Sequence, residues 1–386
     1  MLYLGIQRVR KGAEDGFTHT ISQTDFIVGA KGGALNLLLY SVFHLGSPVN
    51  NVRMSSYEEI KNLPGVKWTI PISLGDSYKG FRVVGTDQNF FEHYRYRKDQ
   101  KVELEAGMPL NGVFDVVIGA EVAKRLKHKV GDDIVLTHGI QSEGLYHHEK
   151  TPFKIIGIIK KTETPIDKSV YVTLHGMEAM HIGWETGVPS DEAIDPSRYL
   201  PEYLEIKQIT SFMVGLKNRI AILKLRRFID QYEAEPLMAI IPALTLQEMW
   251  QTLSYVEKVL TLVGLAVLLV GFLTIVIALY TSINERRKEM SIFRSLGAHP
   301  WQIFGLILYE SFLLVLFGII LGVGFLYAFM MGLKPILETE FSLFLEITAL
   351  SRDEWSFIIL LLFIAPLIGF IPGYRAYKNS LRDGLS

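Results

Sequence analysis

The chain contains no cysteine among its 386 residues. A disulfide framework and a thiolate metal site are therefore excluded, and the redox compartment is left open. Neither sign of charge is in excess. The formal net charge is −1, which gives no reason to expect a nucleic-acid partner. No G-x-x-x-x-G-K-[ST] loop occurs: "GAKGG" at 29–33 has a lysine without the spacing or the hydroxyl that cradle a phosphate, and it reads as a flexible turn. No Ser/His/Asp set or pair of carboxylates can be argued from spacing. His147 and His148, with Glu143 and Glu149, fall in an expected loop where adjacent histidines point apart, so no metal site is assigned there.

What the chain does have is apolar length. Hydrophobic residues make up 49% of it, and they collect in three runs long enough for a bilayer, which takes about 20 apolar residues. These are "VLTLVGLAVLLVGFLTIVIALY" (259–280), "SFLLVLFGIILGVGFLYAFMM" (311–331) and "SFIILLLFIAPLIGFIPGY" (356–374), the last interrupted by Pro366 and Pro372. None carries a charged residue. Basic residues in short loops set orientation. Arg286, Arg287, Lys288 and Arg294 follow the first run, and Arg375, Lys378 and Arg382 follow the third, whereas the loop at 332–355 is acidic. Residues 282–302 and the tail at 375–386 are therefore expected in the cytoplasm, and residues ahead of the first run outside it. The start, "MLYLGIQRVRKG", is too short in apolar residues for a signal peptide. Residues 1–8 are expected to be the outer end of a first transmembrane helix whose beginning is missing.

Residues 9–244 read as an external α+β domain. "TDFIVGA" (24–30), "GFRVVGTD" (80–87), "FDVVIGA" (114–120), "DDIVLTH" (132–138) and "FKIIGII" (153–159) are β-branched runs bounded by turn residues. Short helices fall between them, one with Ser56 as its N-cap and one pairing Val122 with Leu126. "SFMVGLKNRIAILKLRRFIDQY" reads as strand, cap at Asn218, then helix, with a further strand at 237–242. "ALNLLLYSVFHL" (34–45) is too short to span, and is either core or an apolar surface facing lipid or substrate. Residues 140–205 are expected to be turns and loops.

Between domain and membrane, Leu246, Met249, Trp250, Leu253 and Val256 repeat at three and four, so residues 245–281 are expected to form a stalk continuous with the first transmembrane helix. The connection at 282–302 is unusual. Glu285, Arg286, Arg287, Lys288 and Glu289 crowd its first turns, and Met290, Ile292, Phe293 and Leu296 form an apolar face. Gly297 suits the left-handed end of a helix, and Pro300 suits the first turn of the next. Trp301 is placed for the membrane interface. A positive-inside anchor needs the basic residues but not the apolar face or the defined stop, and an apolar face among charges is a docking surface. Residues 303–331 continue into the second transmembrane helix, where Gly318 and Gly322, with Gly324 nearby, allow close helix approach within the subunit or between subunits. Glu310 is expected at the interface.

"NERRKEMSIFRSLGAHPWQIFGLILYESFLL" closely resembles the signature loop of the FtsX/MacB-like permeases, the type VII or mechanotransmission ABC transporters. Glu285, Arg286, Glu289, Ile292, Arg294, Leu296, Gly297 and Ala298 match its pattern, with Tyr309-Glu310 standing where the family has Leu-Glu. The tail "IPGYRAYKNSLRDGLS" is similar to the family's ending, and "DVVIGAEVAKRLKHKVGDDIVL" and "FKIIGIIKKTETPIDKSVYVTL" resemble its periplasmic core domain. The resemblance implies an α-helical membrane protein with a large α+β extracytoplasmic domain, multi-pass in the cell's inner membrane. It implies a dimer with a second permease subunit, identical or paralogous, and a cytoplasmic ABC ATPase that carries ATP and magnesium, with no cofactor on this chain. A periplasmic adaptor and membrane lipid are further implied partners. ATPase closure would be passed along the stalks to the external domains. The substrate class implied is an amphipathic envelope compound: a lipoprotein, a peptide or a macrolide-like drug. The competing reading is an FtsX-like regulator that activates an external partner such as a cell-wall hydrolase; the large external domain favours the transporter. An enzyme of the membrane surface has no catalytic set behind it.

Overall fold

Thirteen consecutive strand residues, Val66–Tyr78, organise the external part of the chain. Residues 66–72 pair antiparallel with Ser211–Leu216, and residues 73–78 with Phe81–Thr86. Pro71 sits beside this handover, where the ladder changes partner and a missing N–H disturbs least. Its carbonyl accepts from Thr86 Oγ1 at 2.8 Å. From the first half the sheet continues antiparallel through Phe26–Ala30 to Leu237–Ile240. From the second half it runs through Ser169–Thr173, Asp115–Ile118, Phe153–Ile159 and Leu104–Gly107, mixing parallel and antiparallel pairs.

The computed structural model describes residues 2–97, 99–138, 152–182, 199–218, 222–340 and 347–382. It divides into two units: Glu14–Gln251, which holds the sheet, and Met1–Ala13 with Thr252–Ser386.

Apolar clusters cover both faces of the sheet over most of its strands, and successive strand residues alternate between separate cores. Ile27, Met213, Val84 and Val117 face one cluster with Leu37, Leu38, Ile70 and Tyr171. Their neighbours Phe26, Val28, Phe212 and Val214 turn to a second, with Tyr57 and Ile229. Val83, Val116, Ile118 and Val172 turn to a third, with Phe153. Helix Ala34–Val42 is core, as one of its two readings has it. Each fully buried Phe or Leu adds about 1.5–3 kcal/mol, so the three clusters dominate the stability of this unit.

Several expectations are corrected. Ser56 is no cap: it lies buried inside helix Met54–Lys61, whose start is fixed instead by Met54 N–H donating to the Lys207 carbonyl at 2.9 Å. The first turn that a cap at Asn218 would serve lies outside the described residues, as do His147, His148, Glu143, Glu149 and much of 140–205. The N-terminal helix does not stop near residue 8 but runs as one element, Leu2–Thr20.

In the second unit the three apolar runs sit inside longer helices, Pro242–Glu285, Pro300–Glu340 and Arg352–Arg382, each long and apolar enough to cross a membrane. The second continues past Met331, and Pro335 falls in its final turns. The third holds Pro366 and Pro372 without breaking, as membrane helices do when neighbours re-satisfy the freed carbonyls.

One buried polar knot ties this unit together. Arg8 grips Glu354 with two parallel bonds, Nε to Oε1 at 2.6 Å and Nη2 to Oε2 at 2.9 Å. It also donates to the Tyr327 hydroxyl at 3.1 Å and to the Thr348 carbonyl at 3.2 Å. Glu354 Oε2 accepts from Ser351 N–H at 2.7 Å, the reciprocal half of a capping box for the third spanning helix. The side chains are 9% and 10% exposed, so neither charge is well hydrated. Gln7 and Arg10 hold Glu257 of the first spanning helix at 3.3 and 2.6 Å, which fixes the N-terminal helix on a second side.

Two outcomes are expected. Arg8→Ala strands a buried carboxylate and should cost about 3–5 kcal/mol, whereas Arg8→Met with Glu354→Gln should recover most of it. Thermal unfolding of the detergent-solubilised chain checks this, and an Arg8→Ala melt within a degree of wild type would count against the knot. In the external unit, burial raises the Asp87 carboxyl to about 6, with Glu92 adding to the rise and Asn89 N–H and Lys61 opposing it. A folded pKa above the unfolded one gives stability that is full below pH 4 and lost as pH climbs through 6. Asp87→Asn should therefore gain on wild type across that window, by about 2 kcal/mol at its upper end. A difference that does not change with pH would contradict the assignment.

Candidate functional site

The site is the turn of chain between the first two spanning helices. The first ends at Glu285, and Arg286 N–H still donates to Ser282 carbonyl at 3.0 Å. A separate helix, Arg287–Ser295, follows at once. It ends as its residues dictate. Gly297 lies at φ +97, in the left-handed region, and Ala298 N–H donates back to the Phe293 carbonyl at 2.9 Å. That six-to-one bond is the Schellman closure.

The restart is capped from the other side. His299 N–H donates to Gln302 Oε1 at 2.8 Å, and Trp301 N–H reaches His299 Nδ1 at 3.5 Å. Pro300 opens the second spanning helix, where its missing N–H was an orphan anyway. Stop and restart therefore need no water-filled loop.

The apolar face divides. Met290 packs with Ile283 onto Ile303, Ile307 and Ala376, which seats the helix on the ends of the spans. Ile292, Phe293 and Leu296 are not covered: they stand 57%, 49% and 79% exposed. Glu285, Arg287 and Glu289 are exposed around them. Arg286 pairs with Glu310, Nη1 to Oε1 at 3.8 Å, so the carboxylate at the start of the second apolar run braces the loop. Both groups are substantially exposed, which limits the pair to well under 1 kcal/mol. Arg294 lies in the helix, and its side chain is outside the described set. Across from the loop, the Arg375 guanidinium lies over the Tyr280 ring at 4.9 Å.

Gly318 and Gly324 make no close approach inside the chain. A methyl built on Gly318 or Gly324 would meet nothing within 4 Å. Gly318 and Gly322 instead line a shallow apolar hollow of about 300 Å³ with Gly271, Leu314 and Ile358. The close approach is made by Gly369 and Gly373 of the third spanning helix. A Cβ there would lie 2.8 Å from the Ser311 Cβ and 3.1 Å from the Phe304 ring. Ser311 Oγ donates to the Ala365 carbonyl at 2.6 Å, in the same seam. This second G-x-x-x-G has the spacing of the first and was legible in the sequence, with Pro366 before it and Pro372 inside it.

The stalk stripe also divides. Leu246 is buried and Met249 packs beside it in the external core, while Trp250 meets the Phe17 ring edge-on at 5.9 Å. Leu253 and Val256 are exposed. One helix nonetheless carries the chain from Pro242 to Glu285 without interruption.

Comparison with known proteins fits this arrangement of parts. Residues 261–381 match the model of the FtsX-like permease C-terminal family, and residues 4–220 that of the MacB-like periplasmic core domain. An uncharacterized ABC transporter permease of Methanocaldococcus jannaschii is 34% identical over 379 residues, covering 91% of this chain and 83% of that protein. Among solved structures, the periplasmic region of MacB from Actinobacillus actinomycetemcomitans is 12% identical and covers 60% of this chain and 94% of that one, with a TM-score of 0.38. The extracellular domain of the noncanonic ABC-type transporter YknZ from Gram-positive bacteria is 11% identical, covers 56% and 98%, and has a TM-score of 0.33. The assignment rests on the family models and the archaeal relative. By these two, the chain belongs to the FtsX/MacB-like family of ABC transporter permeases, as a multi-pass membrane protein with a MacB-like α+β domain outside the membrane.

Proposed function

We propose that residues 285–297 dock a separate cytoplasmic ATPase, and that the chain turns closure of that partner into motion of its external domain. The observation that carries this reading is the uncovered trio Ile292, Phe293 and Leu296, on a nine-residue helix held between two spans by capped turns. Apolar side chains facing water among charges of both signs are what a partner protein covers. Glu285, Arg286, Arg287, Glu289 and Arg294 would set register and orientation in that contact, and Ile292, Phe293 and Leu296 would supply its buried area. ATP and magnesium belong to the partner. This chain supplies the dock and the lever.

The lever is the helix Pro242–Glu285, whose 44 residues span about 66 Å at the standard rise. Leu246, Met249 and Trp250 would fix its outer end, while Leu253 and Val256 are available to a second permease subunit, through which Gly318, Gly322 and Gly324 would also pack. Substrate in this reading is an amphipathic envelope compound, worked outside the membrane and exported or extracted rather than threaded through a pore.

Replacing Glu285 and Glu289 together with lysine is expected to cut permease-dependent ATP turnover about tenfold through like-charge contacts, with the melt of the isolated chain unchanged. Gly297→Val should weaken ATPase retention more gently, since a β-branched residue resists positive φ at a cost of about 1–3 kcal/mol. Co-purification and turnover in native membranes check both. Wild-type ATP turnover in the charge-reversed chain would sink the docking role.

A further inference from the structure

Where the second and third spanning helices reach the cytoplasm, five aromatic rings close a circuit. Trp301 lies against Tyr377 at 5.0 Å between centroids and against Phe304 at 5.6 Å. Phe304 meets Phe370 at 5.5 Å, Phe370 meets Tyr374 at 6.3 Å, and Tyr374 meets Tyr377 at 6.4 Å. Gly373 leaves the space that the Phe304 ring occupies. The circuit is not buried: Trp301, Phe370 and Tyr374 stand 60%, 52% and 56% exposed. Tryptophan and tyrosine suit the membrane interface because their rings are apolar while their N–H and O–H groups are not.

On the third spanning helix the circuit continues as a stripe. Phe363, Leu367, Phe370, Tyr374 and Lys378 recur at four, three, four and four residues, which puts them on one helical face, and all of them are exposed. From Phe363 to Tyr374 the stripe covers about 16 Å at the standard rise, half of a hydrocarbon core about 30 Å thick. A soluble partner reaches only its Lys378 end, whereas an acyl chain reaches all of it. Charge at that end is of one sign. No Asp or Glu occurs in residues 299–309 or 355–382. Arg375 turns to the Tyr280 ring at 4.9 Å, and Lys378 stands exposed one helical turn beyond Tyr374. A second copy of this chain would bring the same cation to the same level.

We propose that this circuit and stripe bind one anionic phospholipid of the cytoplasmic leaflet. Its phosphate sits at the interface end, where Lys378 supplies the charge and the Trp301 indole and Tyr374 hydroxyl supply donors. One acyl chain lies along Phe370, Leu367 and Phe363 toward the bilayer centre. The contact favours a headgroup of net negative charge, such as phosphatidylglycerol. A choline headgroup brings its own cation close to Lys378, so phosphatidylcholine gains no net attraction. The site uses none of the residues assigned to the ATPase contact, so it stands or falls apart from that reading.

The test uses the full chain in phosphatidylcholine nanodiscs that carry a minor fraction of a lipid brominated on its acyl chains, either phosphatidylglycerol or phosphatidylcholine. Bromine quenches tryptophan fluorescence at contact, and the Trp301 signal is the difference between wild type and Trp301→Phe. At equal mole fraction, brominated phosphatidylglycerol is expected to quench that signal as though enriched about fivefold over brominated phosphatidylcholine. Lys378→Gln should bring the two lipids to parity, while Lys378→Arg should keep the preference. Trp355, near the opposite end of the third spanning helix, is read in the same way through Trp355→Phe. Its quenching in every variant shows that the chain is folded and inserted. Equal quenching of Trp301 by the two lipids, or a preference that survives Lys378→Gln, overturns the inference. So does protection of Trp301 from both lipids while Trp355 is quenched, which would mean that a protein surface covers the stripe.

Discussion

A backbone that turns back toward lipid cannot leave an amide unpaired, and the connection between the first two spanning helices meets that constraint within residues 296–302. Gly297 takes the one conformation that lets Ala298 close on Phe293, and His299 and Gln302 cap the helix that starts at Pro300. With the turn closed by backbone and side-chain bonds, the short helix before it has a defined end. Met290 then holds it on the spans, and among the described residues Ile292, Phe293 and Leu296 are left exposed. The exposed surface is a consequence of the turn.

At the other end of the spans the chain uses charge instead of tight geometry. Arg8 and Glu354 are largely removed from water, and all three nitrogens of the guanidinium find acceptors, from carboxylate, hydroxyl and carbonyl. Such a pair contributes little net stability over an apolar substitute but specifies one register, since any slip leaves a naked charge. The cytoplasmic end of the unit is thus fixed by backbone closure, and its opposite end by a polar knot. Between them the second and third spans approach closely at Gly369, Gly373 and Ser311.

Much of this was legible in the sequence, and the failures have a physical pattern. The spans, the left-handed glycine, the restart at Pro300 and most strands follow from local rules: apolar length, positive φ, β-branched runs. The strand Val66–Tyr78 was missed because Pro71, Gly75 and Asp76 make it read as a broken segment, and only its change of partner midway explains why such residues are tolerated there. Ser56 looked like a cap because a cap is a local signal, whereas the helix start is set by a carbonyl from residue 207, far along the chain. The Arg8–Glu354 pair spans nearly the whole sequence, and no spacing rule connects the two. The choice between Gly318/Gly322 and Gly369/Gly373 could not be made from spacing at all, because both sets satisfy the same motif and only the packed partner distinguishes them.

The order of strands has a consequence for how the protein is made. Phe26–Ala30 pairs with Ser211–Leu216 and with Leu237–Ile240, so an early strand must wait for two of the last. At the usual pace of synthesis some 210 residues take about 10–40 s, and through that interval an apolar edge has no partner. The external domain cannot complete its sheet until the segment that enters the first spanning helix is emerging. Folding outside and insertion into the bilayer are therefore nearly simultaneous events, and a nascent chain stalled before residue 240 would present an open, adhesive strand to whatever chaperone meets it on the far side of the membrane.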